Sequence, residues 1–61
     1  MQPNELRQWR IAQGYTQQGL ADELGYTSRS YICMLENGTK TITPRVVKTI
    51  AMLNKLNEVK S

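Results

Sequence analysis

The sequence predicts an all-α fold of four helices. Three observations carry that expectation. Apolar residues recur at three- and four-residue spacing, glycines or a Thr-Pro pair punctuate the chain, and no segment alternates as a half-buried strand would. The runs Tyr31-Ile32-Cys33-Met34-Leu35 and Arg45 to Leu53 fit helical spacing better than alternation. With 61 residues and no linker, repeat or low-complexity stretch, the chain is expected to form one domain, 1–61, around one core. A domain of this size buries only about 60% of its unfolded surface, so its stability margin is thin.

The first helix is expected from about Asn4 to Gln13. Asn4 after Pro3 is a suitable N-cap, Gly14 suits the left-handed residue past the end, and Leu6 and Trp9 mark the apolar side. The second begins at the cap Thr16 and ends before Gly25, with Leu20, Ala21 and Leu24 as its buried stripe. Gly19 inside it costs roughly 1 kcal/mol relative to alanine. Thr27 and Ser28 are both suitable caps for the third helix, which closes at Asn37-Gly38. Ile32 and Leu35 turn inward there with Tyr31 beside them, leaving Arg29, Ser30, Cys33 and Met34 largely on the other side. The fourth opens with Thr43 as cap and Pro44 at the first helical position. It places Val47, Ile50 and Ala51 inward, with Leu53 or Leu56, and runs to about Glu58.

Composition narrows the function classes. Eight Lys and Arg against five Asp and Glu give +3, a modest bias compatible with a polyanionic partner. One cysteine and no histidine exclude an internal disulfide and leave a zinc site without ligands. No nucleophile–base arrangement or glycine-rich phosphate loop is present, so the expectation is no enzyme, no metal and no cofactor. No leader is evident, and no apolar run approaches the roughly 18 residues of a membrane span. The expected setting is cytoplasmic, without membrane association or a small-molecule ligand.

Residues Thr16 to Gly38 carry the informative pattern: a short helix, a turn starting at Gly25, and a second short helix. That is the layout of a helix-turn-helix, whose second helix enters the major groove of DNA. Ala21 is small where two helices cross closely, and Gly25 permits the positive φ of the turn.

The residues Leu6, Arg10, Gly14, Thr16-Gln17, Leu20-Ala21, Leu24-Gly25, Ile32, Leu35-Glu36-Asn37-Gly38, Pro44, Ile50 and Ala51 resemble, in order and spacing, the Cro/CI-like (XRE-type) repressors of phages and bacteria. The resemblance spans about residues 4 to 56. It implies a compact lambda-repressor-like helix-turn-helix domain of four helices, with room for a short fifth. The stretch Arg29-Ser30-Tyr31-Ile32 also looks like the recognition helix of restriction–modification controller proteins. Two departures accompany the likeness. The turn after Gly25 is one residue longer than is common in the family, and the loop from Gly38 to Pro44 is extended.

The resemblance implies a homodimeric regulator, most simply a repressor, bound to a palindromic double-stranded DNA operator. It assigns base reading to Arg29, since arginine can grip guanine O6 and N7 with two hydrogen bonds. Ser30, Cys33 and Met34 share that face as further base contacts. Thr16, Gln17 and Gln18 stand at a helix N-terminus, which favours phosphate. Ser28, Thr39, Lys40 and Arg45 complete the expected phosphate contacts. Arg10 and Glu36 are implied to form a structural ion pair, and Trp9 reads as core. The competing reading is a protein-interaction module, such as an antitoxin subunit, that keeps the fold with weak or no DNA binding.

Overall fold

The computed structural model describes residues 1–60; Ser61, the last residue of the expected domain, lies outside them. Four helices follow in order: α1 (Pro3–Ala12), α2 (Gln17–Leu24), α3 (Arg29–Asn37) and α4 (Pro44–Lys60). Among the described residues there is no strand and no fifth helix. α4 instead continues unbroken past Glu58 to Lys60.

Local chemistry sets most of these boundaries. The Thr16 hydroxyl accepts the Gly19 N–H at 2.9 Å and caps α2. Gly25 ends α2 at φ +83°, a region that favours glycine over residues with a side chain. Of the two candidate caps for α3, Ser28 fills the role, its hydroxyl accepting the Ser30 N–H at 3.1 Å. Thr43 accepts the Val46 N–H and caps α4. Gly19 also finds its reason here. A Cβ at that position would lie 3.1 Å from the Thr16 hydroxyl, against the oxygen that caps the helix.

The start of α1 differs from expectation. Gln2, not Asn4, is the N-cap, and the Glu5 carboxylate accepts the Gln2 N–H at 2.8 Å. The reason is Pro3. Its fixed φ suits the first helical position and its missing N–H would go unpaired there in any residue, so the helix begins one residue earlier.

The core is a single cluster of Leu6, Leu20, Ala21, Ile32, Leu35, Val46, Ile50 and Leu53, drawn from all four helices. Trp9, Tyr15, Leu24, Tyr26, Tyr31 and Ile42 are half-buried around it. α3 packs on both α1 and α2, and α4 packs on α2. The inward face of α4 is Val46, Ile50 and Leu53, a correction to the expected Val47, Ile50 and Ala51. Val47 is half-buried, and Ala51 and Leu56 are exposed. Both stripes have helical spacing. The observed one continues into polar Asn57, which hides its period from a reading of apolar residues alone.

Candidate nucleic-acid interface

α3 has two sharply different sides. Ile32 and Leu35 are fully buried, while Arg29, Ser30, Cys33 and Asn37 are exposed. Tyr31 and Met34 stand on one boundary and Glu36 on the other. With Ser28 as the cap, Arg29 is the first residue of the helix, and its side chain stands at the leading end. Cys33 carries a free, exposed thiol. Of the four expected base contacts, Arg29, Ser30 and Cys33 share the outward face, whereas Met34 is half-buried at its edge.

The inner side of α3 is tied by polar groups as well as by apolar packing. The Glu36 carboxylate accepts from Arg10 Nε at 2.6 Å, from Arg10 Nη2 at 3.3 Å and from Gln17 Nε2 at 3.3 Å. Arg10 Nη1 also donates to the Tyr15 carbonyl at 2.8 Å. The Arg10 and Glu36 side chains are only 12% and 6% exposed, so the pair is shielded from solvent. Among the described residues no buried side-chain polar atom lacks a partner. One carboxylate thereby joins α1, the start of α2 and the end of α3, and fixes how α3 lies against the rest of the domain.

A family model described as helix-turn-helix matches residues 6–57. The chain belongs to that family, the Cro/CI-like (XRE-type) helix-turn-helix proteins. It is accordingly a DNA-binding regulator, in a family of regulatory domains and not of enzymes. No curated protein and no solved structure matches the chain.

In this helix-turn-helix protein the residues expected to meet phosphate lie around α3, with Ser28 at its start and Gln17 and Lys40 beside its end. Thr16 and Gln17 stand at the start of α2, where helix geometry leaves the Gln17 and Gln18 N–H groups without an intrahelical acceptor. Gln17 is half-buried because its amide reaches Glu36. Gln18 Nε2 donates to Asp22 Oδ1 at 2.9 Å, which turns that side chain along α2 beside an acid. Just past the end of α3, Thr39 N–H donates to Asn37 Oδ1 at 2.8 Å and Lys40 N–H to the Met34 carbonyl at 3.1 Å. The extended loop therefore begins folded back on α3, with Lys40 exposed beside its end. Arg45 is exposed in the first turn of α4.

Charge follows the same geography. Between Gly25 and Asn57 the sole acid is Glu36, and it is engaged by Arg10. Arg29, Lys40, Arg45, Lys48 and Lys55 lie in the same stretch. Net charge alone understates this, because the other acids stand elsewhere: Glu5 on α1, Asp22 and Glu23 late in α2, and Glu58 near the end of α4.

Several residues of this region escaped sequence reasoning. Tyr26 in the turn and Tyr31 in the first turn of α3 pack ring on ring, with centroids 4.3 Å apart. Burial raises the Tyr26 hydroxyl above its ordinary pKa of 10.0, the hydrogen bond with Tyr31 adds to this, and the Arg45 charge pulls the other way. This pair braces the turn between α2 and α3 near Arg45. Two tyrosines flanking a capped turn were the available signal. Asn37 reads from sequence only as a helix stop, but its side chain also orders the loop that carries Lys40. Among the described residues no cluster of His, Cys, Asp or Glu is placed to hold a metal, and no helix is long and apolar enough to cross a membrane.

Proposed function

We propose that this regulator reads double-stranded DNA by seating α3 in the major groove, two copies binding a palindromic operator and repressing by blocking polymerase at a promoter. Arg29 reads a base edge with two hydrogen bonds from its guanidinium, and Ser30 and Cys33 line the same groove wall. Met34 meets a base from the edge of that face. Thr16, Gln17, Gln18, Ser28, Thr39, Lys40 and Arg45 grip the flanking phosphates, which supply affinity and register without sequence information. The observation that carries this reading is the division of α3. Its inner side is locked by the buried Arg10–Glu36–Gln17 network, while its outer side begins with an exposed arginine and carries no unpaired acid.

Selection of binding sites from random duplex DNA, followed by footprinting, tests it. The expected winners are symmetric, with half-sites about 10 base pairs apart, centre to centre, or a multiple of that. Enrichment of lone half-sites would remove the dimer from the proposal. No enrichment over non-specific binding would remove sequence reading altogether and favour the protein-interaction module.

A further inference from the structure

Three side chains from three elements converge beside the first turn of α3, and the phosphate contacts named above use only one of them. Tyr26 belongs to the turn between α2 and α3, where its N–H donates to the Ala21 carbonyl at 2.8 Å. Tyr31 is the third residue of α3, and Arg45 stands in the first turn of α4, which Thr43 caps. The two rings pack with centroids 4.3 Å apart and an interplanar angle of 45°, and their hydroxyls are hydrogen-bonded to each other. The Arg45 guanidinium lies near enough for its charge to be felt at the Tyr26 hydroxyl.

We infer that Tyr31, braced by Tyr26, acts with Arg45 as a clamp on one backbone phosphate of the duplex. The inference deepens the proposed function and rests on it, because it adds two residues to that interface and joins one of them to Arg45 on a single phosphate. A phenol both gives and accepts a hydrogen bond. A bonded pair therefore spends one of its two protons on the bond between them and keeps the other for an acceptor outside. That proton and a guanidinium are both donors, and an anionic phosphate accepts from both. Between Gly25 and Asn57 the sole acid, Glu36, is taken by Arg10, so no carboxylate of this stretch competes for the place.

Position selects backbone over base. At 3.6 residues per turn, Tyr31 lies about 100° round α3 from exposed Ser30 and about 40° from buried Leu35. With the outward face of α3 in the groove, Tyr31 comes against the groove wall, where the sugar–phosphate chain runs. Arg45, next to buried Val46, reaches the same flank from α4. Both rings are half-buried against the core, so the hydroxyl is held in place before DNA arrives and little side-chain freedom is lost on binding.

The test replaces single phosphates of the selected duplex with neutral methylphosphonates, one linkage at a time, and measures affinity of the full chain. The wild type should lose about 10-fold at the clamped linkage. Tyr31→Phe and Arg45→Ala should each bind the unmodified duplex more weakly, and at that same linkage their further loss should shrink to about twofold or less. Lys40→Ala, which meets a different phosphate, should keep the full loss there. Tyr26→Phe retains its ring but not the brace, and should relieve the loss at that linkage in part. Tyr31→Phe should also leave the slope of log affinity against log salt unchanged, because a hydroxyl carries no charge, whereas Arg45→Ala flattens it. If Tyr31→Phe and Arg45→Ala keep the wild-type loss at every linkage, or relieve it at different linkages, the clamp is overturned while the DNA reading stands. Should Tyr31→Phe fail to fold, the same comparison between Tyr26→Phe and Arg45→Ala decides. Absence of binding to any duplex overturns the DNA reading and the clamp with it.

Discussion

α3 and α4 are built alike on their inner sides and differently on their outer ones. Each buries a stripe of aliphatic residues, Ile32 and Leu35 in α3 and Val46, Ile50 and Leu53 in α4, and each adds polar ties from that side. Outside, α3 presents Arg29, Ser30, Cys33 and Asn37, while the end of α4 presents Met52, Leu56 and Val59. The inner sides hold the fold together, and the outer sides differ in the chemistry they offer. A charged and hydrogen-bonding face suits the edges and phosphates of a duplex, whereas a hydrocarbon stripe suits another protein surface.

The largest expected effect comes from cutting the polar attachment of α3. Arg10→Ala leaves the Glu36 carboxylate buried with Gln17 as its remaining side-chain partner. Removing one member of a shielded pair costs about 3–5 kcal/mol, a large share of what so small a domain can hold. Urea denaturation should show a sharply lowered midpoint, with DNA affinity falling alongside. A change under about 1 kcal/mol would mean that apolar packing alone orients the helix.

Next in size is Arg29→Ala on the outer side, which should leave urea stability unchanged. Affinity for the selected site should fall by about 1–3 kcal/mol, with relaxed preference at one base position, as repeat selection would show. Equal weakening on every sequence would reassign Arg29 to the backbone.

Lys40→Ala and Arg45→Ala should act more gently and without regard to sequence. Each removes one phosphate contact, so the slope of log affinity against log salt should flatten by about 0.9 per residue. A sequence-dependent loss at Arg45 would instead place it in a groove.

The smallest effect concerns the turn. The folded-state pKa of Tyr26 is raised, mainly by burial, so its contribution to stability is fully present below the ordinary value of 10.0 and is lost as pH rises through the raised one. The thermal midpoint of the wild type should therefore drop more steeply above pH 10 than that of Tyr26→Phe. Identical alkaline profiles would show that the Tyr26 hydroxyl has no part in holding the turn.

The sequence was most legible where one residue type is nearly the only solution. Thr16 as cap, Gly25 and Gly38 at positive φ, and Pro44 after Thr43 mark their boundaries without help from the rest of the fold. Legibility failed where two local solutions compete. Asn4 is a good cap by type, but Pro3 takes the first helical position, and Glu5 closes on Gln2. Val47 and Ala51 have the right spacing to be buried, yet docking rotates the helix toward Val46 and Leu53. In the candidate site, the outward residues of α3 follow from periodicity alone. The engagement of Gln17 with Glu36 does not, since it joins residues 19 apart and depends on how α2 crosses α3. The Tyr26–Tyr31 packing likewise depends on the path of the turn between α2 and α3.

The central claim, that this helix-turn-helix protein grips duplex DNA through the cationic surface around α3, is tested most directly by titrating salt. Affinity of the wild type for its selected duplex should be measured between 50 and 200 mM monovalent salt, beside Lys40→Ala and Arg45→Ala. The account predicts a steep fall for the wild type, roughly linear in log salt, and a shallower one for each variant. Binding that is indifferent to salt, or unchanged slopes in both variants, would contradict it.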